Sequence, residues 1–165
     1  MGRVSAALQG QWHSLMLQGL TIFHSTFHGG FDDFFIQRIG EETAGRGEFW
    51  QLALNFKRAN LGGGQMRVTT GDSVLWALIK AESRGSAPLR LKGPQSVKAY
   101  TAIRVNVTDG ETRRAVEGAT VGGRSTDRNG QVEIEAGPAG ETHRLQADYQ
   151  NRYVRSNVLI VTVTA

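Results

Sequence analysis

His24 and His28 stand four residues apart, with Asp32 and Asp33 close behind. On a helix that spacing stacks two imidazoles on one face, an arrangement able to hold zinc or another divalent ion. No glutamate lies between the histidines and Gly29-Gly30 follows at once, so surface or packing histidines are the expectation and a metal-dependent enzyme the weak alternative. Asp32, Asp33, Glu41, Glu42 and Glu48 could include a general acid-base pair. Adjacent residues on a strand face opposite ways, however, and nothing in the spacing makes two of these carboxylates converge. Ser73 and Ser156 lack the surroundings of a nucleophile elbow. Asp127-Arg128-Asn129-Gly130 spells the start of a calcium loop without the later carboxylates or the distal glutamate. It reads as a hairpin turn, its Asn-Gly pair suited to positive-φ positions. Gly62-Gly63-Gly64 is followed by Gln65, where a phosphate loop needs Lys and then Ser or Thr, so it reads as a flexible turn. No catalytic residue and no cofactor are expected.

Composition narrows the classes further. The chain has no cysteine, which removes disulfides, thiol catalysis and cysteine-ligated zinc together. The net charge of +4 invites a nucleic-acid reading, but the basic residues are interspersed with acids and only short pairs such as Lys57-Arg58 and Arg113-Arg114 stand together. That is a solvated mixed-charge surface, and no nucleic-acid partner is expected. No apolar run is long enough to span a bilayer, and the N-terminus shows no secretory leader pattern.

Any site must be positioned by elements whose pattern changes along the chain. Every Phe lies between Phe23 and Phe56 and every Trp at or before Trp76, whereas Val, Thr, Gly and Asn become frequent later. Two cores built on different plans follow from that step, with the seam in Ser83–Pro88 or at Lys92-Gly93-Pro94. Residues 12–23 are read as a helix, ended by His28-Gly29-Gly30. Phe34, Ile36 and Ile39 suggest a strand closed by Gly40, and Phe49–Phe56 a second one. Met66–Thr69 alternates like a half-exposed strand, and Val74–Ile79 is an unbroken apolar run expected to be a strand covered on both faces, a natural centre for two packed layers. Beyond the seam, Ile103–Val107, Val132–Ala136, Leu145–Tyr149 and the run into Thr164 alternate between turn-forming residues, the mark of a β-sandwich.

Two family resemblances rest on particular residues. The Phe49-Trp50 strand, Asn55, the triple glycine and Val68-x-x-Gly71-Asp72-x-Val74-x-Trp76 together resemble the C-terminal domain of transcobalamin-like proteins, over residues 12 to 80. That resemblance implies a small α+β, β-grasp-like fold with an Asn-centred turn and a Gly-Asp turn before the last strand. Phe56 stands where the family usually has glycine. Its vertebrate members help enclose cobalamin, which makes corrinoid-like capture between two domains an alternative function, with no ligand residues carried over. The second half resembles bacterial Ig-like and collagen-adhesin B-type modules, through Val105–Gly110, Val116–Val121, Thr126–Val132 and Arg155-Ser156-Asn157. Some of those relatives carry a Lys-Asn isopeptide crosslink; Ile103–Val107, taken as the first strand, has no lysine, so none is expected.

The resulting expectation is a mainly β chain, with a β-grasp-like α+β domain at residues 1–88 and an Ig-like β-sandwich at 95–165. By resemblance it is a non-catalytic extracellular or cell-surface module whose partners are proteins, copies of itself included. Two features bear on such contacts. Phe27, Phe31, Phe34 and Phe35 hold more apolar surface than one face of a short strand can hide. Core packing is the expectation for them and a docking patch the alternative. Val158–Val163, with Val158 and Ile160 as contact candidates, is expected as an internal or edge strand; at an edge it could pair with another chain.

Overall fold

The computed structural model describes residues 23–30, 32–80, 87–149 and 153–165. Among them the protein is mainly β, with 52% strand and no helix, so the helix expected up to His28 is corrected over its last turn. Residues 12–22 of that expectation lie outside the described residues. The chain divides into two units, Met1–Arg84 and Gly85–Ala165.

The first unit contains β1 (Phe23–His28), β2 (Asp33–Ile39), β3 (Glu42–Thr43), β4 (Glu48–Leu54), β5 (Lys57–Arg58) and β6 (Val74–Lys80). They form two antiparallel sheets, ordered β1-β2-β3 and β5-β4-β6. β4 and β6 pair along their whole length, from Glu48↔Lys80 to Leu54↔Val74. The apolar run Val74–Ile79 therefore lies at the edge of its three described strands, not at a centre. Only Ile79 of the run is fully buried; the other five residues are half-buried. A sheet covered this thinly gains less from apolar burial than the run's composition suggests. Met66–Thr69, for all its alternation, is not a strand.

The two turns flanking β4 and β6 are locked to each other. Asn55 and Phe56 form the two-residue turn between Leu54 and Lys57, both at positive φ (52° and 66°). Such a turn favours Asn-Gly because an L side chain at positive φ is strained; Phe56 occupies the glycine position. The Asn55 amide donates to Asp72 Oδ1 (2.8 Å) and its carbonyl oxygen accepts from Ser73 N (3.0 Å). Asp72 Oδ2 accepts from the N–H and the hydroxyl of Thr69. This draws Thr69 into a turn and explains why the alternation before it yields no strand. These bonds, the Asn55 amide first and Thr69 next, hold the Asp72 carboxyl below its ordinary 3.8. A carboxyl depressed by folding contributes stability at pH values above its unfolded pKa, and that contribution disappears as pH falls through the folded value. Wild type should therefore lose stability on acidification more steeply than Asp72→Asn. Parallel melts of the two proteins between pH 6 and pH 2, with curves that stay parallel throughout, would contradict this.

The second unit contains β7 (Leu89–Lys92), β8 (Ser96–Lys98), β9 (Ala102–Asp109), β10 (Thr120–Val121), β11 (Arg124–Ser125), β12 (Gln131–Glu135), β13 (Thr142–Leu145), β14 (Ala147–Asp148) and β15 (Leu159–Thr164). Three sheets result, ordered β12-β9-β7, β13-β15-β8 and β11-β10-β14. Alternate residues of the long strands turn inward: Leu89 and Leu91, Ile103, Val105 and Val107, Val132 and Ile134, Val161 and Val163 form one buried cluster with Val116, Val121 and Leu145. Full burial of each such side chain stabilises by about 1.5–3 kcal/mol, which makes this cluster the main interior of the unit.

The unit begins earlier than residue 95. Leu89–Lys92 pairs antiparallel with Asp109–Asn106, so the alternative seam at Lys92–Pro94 follows a strand of this unit. The first strand thus carries Lys92, and the lack of lysine in Ile103–Val107 no longer bears on a lysine-asparagine crosslink. Asn157 spends its side chain on the main chain of β7, accepting from Leu91 N (3.0 Å) and donating to Leu91 O (3.1 Å).

Two buried hydroxyls fasten the loops of this unit. Thr126 Oγ1 accepts from Ala119 N and donates to Val116 O, while Ser156 Oγ accepts from Ala147 N and donates to Asn157 O. Thr126→Val or Ser156→Ala would leave a buried N–H without its acceptor, at about 1–3 kcal/mol each. Urea unfolding of each variant, followed by resonances of this unit, tests the figure; losses under 0.5 kcal/mol, about the size of an ordinary surface change, would contradict it.

Candidate functional site

The aromatic hairpin β1–β2 carries the candidate site. Its register pairs Phe27 with Phe34 and Thr26 with Phe35. Directly paired residues share a face and neighbours along a strand do not, so Phe34 and Phe35 point to opposite sides of the hairpin. Phe27 and Phe34 meet edge to face at 5.3 Å, and His28 meets Phe35 in the same manner at 5.2 Å. Aromatic surface on both sides cannot be hidden by packing one side on a neighbour. Phe27, Phe34 and Phe35 are accordingly 53%, 54% and 48% exposed. This overturns the core-packing expectation for these three. Phe31 lies outside the described residues.

Three devices fix β2 within the first unit. First, the register jumps from His24↔Arg38 to Ser25↔Ile36, leaving Gln37 as a bulge residue. The Gln37 carbonyl accepts from Ala44 N (2.8 Å) and from the Trp50 indole N–H on β4 (3.3 Å). Second, Asp33, the first residue of β2, is only 6% exposed and is set into the triple glycine. Its Oδ1 accepts from Phe34 N (2.7 Å) and Gly64 N (2.9 Å). A Cβ on Gly62 would collide with the Asp33 carboxylate. Third, the glycine loop that holds Asp33 is itself seated on β6, with Gly63 against the Trp76 ring at a distance where a Cβ would come to 3.4 Å. The triple glycine, expected as a flexible turn, is instead a fitted cradle: glycine is required at 62 and 64 because the Asp33 carboxylate approaches the backbone so closely, while a Cβ on Gly63 would make ordinary contact with the Trp76 ring. Asp33 Oδ2 is buried without a hydrogen-bond partner, which concentrates the cost of this joint in one atom.

The remaining candidates are dispersed. His24 and His28 are exposed on a strand, where the helical stacking argument for a metal site does not apply. Among the described residues no group of three or more His, Cys, Asp or Glu is placed to share a metal ion. Asp32 is exposed at positive φ, apart from the buried Asp33, and Glu41 and Glu42 are exposed. Glu48 accepts from Gly45 N in a local turn. Asp127 Oδ1 accepts from Asn129 N and Gln131 N, closing the turn read as the start of a calcium loop. Ser156 is the buried fastener of its loop, its hydroxyl spent on the main chain.

Ile160 lies on β15, which is hydrogen-bonded on both sides, antiparallel to β13 and parallel to β8. The terminal strand is thus internal to its sheet, one of the two positions expected for it; pairing with another chain is tied to the other, an edge. Val158 precedes the strand and is half-buried. Sequence reasoning missed Asp33 as a positioning residue because its partner glycines stand about thirty positions away; the one available sign was the triplet itself. No family model, curated protein or solved structure matches the chain.

Proposed function

We propose that the chain is a non-catalytic, extracellular or cell-surface binding module that works through protein-protein contacts, with the aromatic hairpin as its contact surface and a second copy as the first partner to test. On this reading the first unit is a β-grasp-like relative of the transcobalamin C-terminal domain, supported by the Asn55–Asp72 link between its two turns. The second unit is an Ig-like sandwich acting as a rigid spacer, supported by the inward alternation of β9, β12 and β15 on one interior.

One observation carries the functional reading: three phenylalanines about half exposed on a hairpin fixed in place by Asp33 and Trp50. Exposed aromatic side chains lose water on contact, and their few rotatable bonds cost little entropy when ordered. The carboxylates of Asp33, Asp72, Asp109 and Asp127 are committed to turns and loops, which fits a scaffold better than a reaction centre.

Sedimentation velocity over a hundredfold range of concentration tests the proposal. Wild type should show a concentration-dependent weight-average mass, and Phe27→Ser/Phe34→Ser should remain monomeric with unchanged circular dichroism. A wild type that stays monomeric at millimolar concentration, or a double variant that associates equally, would remove self-association through this face.

A further inference from the structure

We propose that the outer face of β7, β9 and β12 is a separate binding site for a uronic-acid unit of a glycan, a carboxylate carried on a polyhydroxylated ring. A concavity of about 490 Å³ lies on this face, within the range of small-molecule sites. Its lining comes from all three strands and from the segment that follows β7. Lys92, Asn106 and Gln131 are paired across the sheet and form one row of side chains; Arg104 and Glu133 form the next. Val105 and Val132, which alternate with these, turn into the buried cluster, so the floor beneath the rows is main chain. Gly93 and Pro94 form the wall beside Arg104. A Cβ on Gly93 would come to 2.8 Å from the Val105 and Leu159 side chains and 3.4 Å from Arg104 O, so this wall is seated against β9.

The groups on this face select the occupant. Lys92 is exposed and has no acidic partner among the described residues. Arg104 meets Glu133 Oε1 through Nε alone (2.6 Å), which leaves its terminal nitrogens as donors. Two cations against one carboxylate leave one positive charge, which calls for a monoanion. Lys92 and Arg104 stand on β7 and β9 and Glu133 on β12, so the charge runs from positive to negative across the sheet. The ligand carboxylate therefore sits between Lys92 and Arg104, diagonal neighbours about 7–8 Å apart and within reach of both long side chains. Two amides stand beside the charges. Asn106 Nδ2 donates to Asn129 O (3.1 Å), so its Oδ1 is left to accept. The Gln131 side chain is exposed and makes no hydrogen bond among the described residues, so it offers a donor and an acceptor. Donors and acceptors this close together suit the vicinal hydroxyls of a sugar, each of which does both; an aliphatic acid would leave them unanswered. From β7 to β12 is two strand spacings, about 10 Å, the length of one ring with its carboxylate and linking oxygen. Lys92, Arg104, Gln131 and Glu133 are all exposed, so the site opens to solvent as a unit joined to further sugars requires.

The test is a titration of the 15N-labelled full chain with methyl β-glucuronide, with methyl β-glucoside, acetate and inorganic phosphate as controls. The glucuronide should shift the amide resonances of Arg104, Asn106 and Glu133 and the side-chain NH2 of Gln131. It should bind roughly tenfold tighter than the glucoside, the worth of one charge-assisted hydrogen bond. Acetate, which has the charge without the hydroxyls, should bind no better than the glucoside. Lys92→Ala should weaken glucuronide binding about fivefold, the upper range for one surface ion pair, and Gln131→Ala by a similar factor through a lost neutral hydrogen bond. Absence of shifts with glucuronide in the tens of millimolar would overturn the proposal. So would shifts centred away from this face, or binding indifferent to either replacement. Acetate or phosphate binding as well as the glucuronide would mark unspecific attraction to positive charge and overturn it too, and binding of free glucuronic acid without its methyl glycoside would exclude a glycan.

Discussion

Gly130→Ala is expected to destabilise the second unit by about 2–5 kcal/mol, a large loss for the addition of one methyl group. Gly130 sits at φ +73°, where an L residue costs roughly 1–2 kcal/mol. A Cβ there would also collide with the Val107 carbonyl oxygen and approach Val116 N at 3.2 Å. Both are backbone atoms of buried residues, so no side chain can swing aside to make room; overpacking of this kind adds about 1–3 kcal/mol. Gly123 supplies the control. Its φ of +79° is similar, yet nothing lies within 4 Å of a Cβ, so Gly123→Ala should cost the backbone strain alone. Urea unfolding of the two variants, followed by resonances of β9 and β12, measures the difference. Equal losses would mean that the Asp127–Gly130 turn approaches β9 less closely than a Cβ collision requires.

The second large effect is a coupling. Gly62→Ala would displace the Asp33 carboxylate, breaking its bonds to Phe34 N and Gly64 N. Bonds to a charged acceptor contribute about 1.5–3 kcal/mol each, so the loss of two sets a destabilisation of about 3–6 kcal/mol for the first unit. Asp33→Ala should cost a similar amount for the same reason. The double variant should cost little more than either single one, because once the carboxylate is gone the nearest of these contacts left to the added methyl is the Cβ of residue 33, at 3.2 Å. A coupling energy nearly as large as one single loss is the expected result of that cycle; simple additivity would contradict the cradle. The consequence reaches the candidate site, since Asp33 is the residue before Phe34 and its loss releases the aromatic hairpin.

These two joints show which parts of the fold are legible in sequence. Ile103–Val107 and Val132–Ala136 alternate because each has one wet and one dry side, and their strands match the alternation within a few residues. Phe49–Phe56 also yields a strand, but one half-buried along its length except at Ala53, on the face opposite Trp50, Leu52 and Leu54. β1 is not legible in this way. Its sequence, FHSTFH, belongs to a hairpin with aromatic side chains on both faces, so no alternation marks it, and two histidines four apart mimic a helical stripe. β7 escapes because four residues ending at Gly93-Pro94 resemble a linker more than a strand. Its place is fixed by Asn106 and by Asn157, the latter some sixty-five positions away. Met66–Thr69 shows the converse, an alternation overruled when Asp72 claims the Thr69 N–H and hydroxyl. The position of β15 between β13 and β8 depends on strand order, which local pattern does not encode.

The candidate site is legible as a composition and not as a place. Four phenylalanines within nine residues announce an excess of apolar surface. Which of them face water depends on the register of Phe27 with Phe34, on the bulge at Gln37, and on a carboxylate anchored in a distant glycine loop.

The proposed contact surface requires that those rings be wet in the free protein. Fluorine NMR of the full chain with fluorinated phenylalanine, assigned by single Phe→Tyr replacements, reads this directly. Resonances of Phe27, Phe34 and Phe35 should show a large H2O/D2O isotope shift in dilute protein, and should lose it as concentration rises while those of Phe49 and Phe56 stay constant. Rings at Phe27, Phe34 and Phe35 already shielded from solvent in dilute protein, and indifferent to concentration, would contradict it.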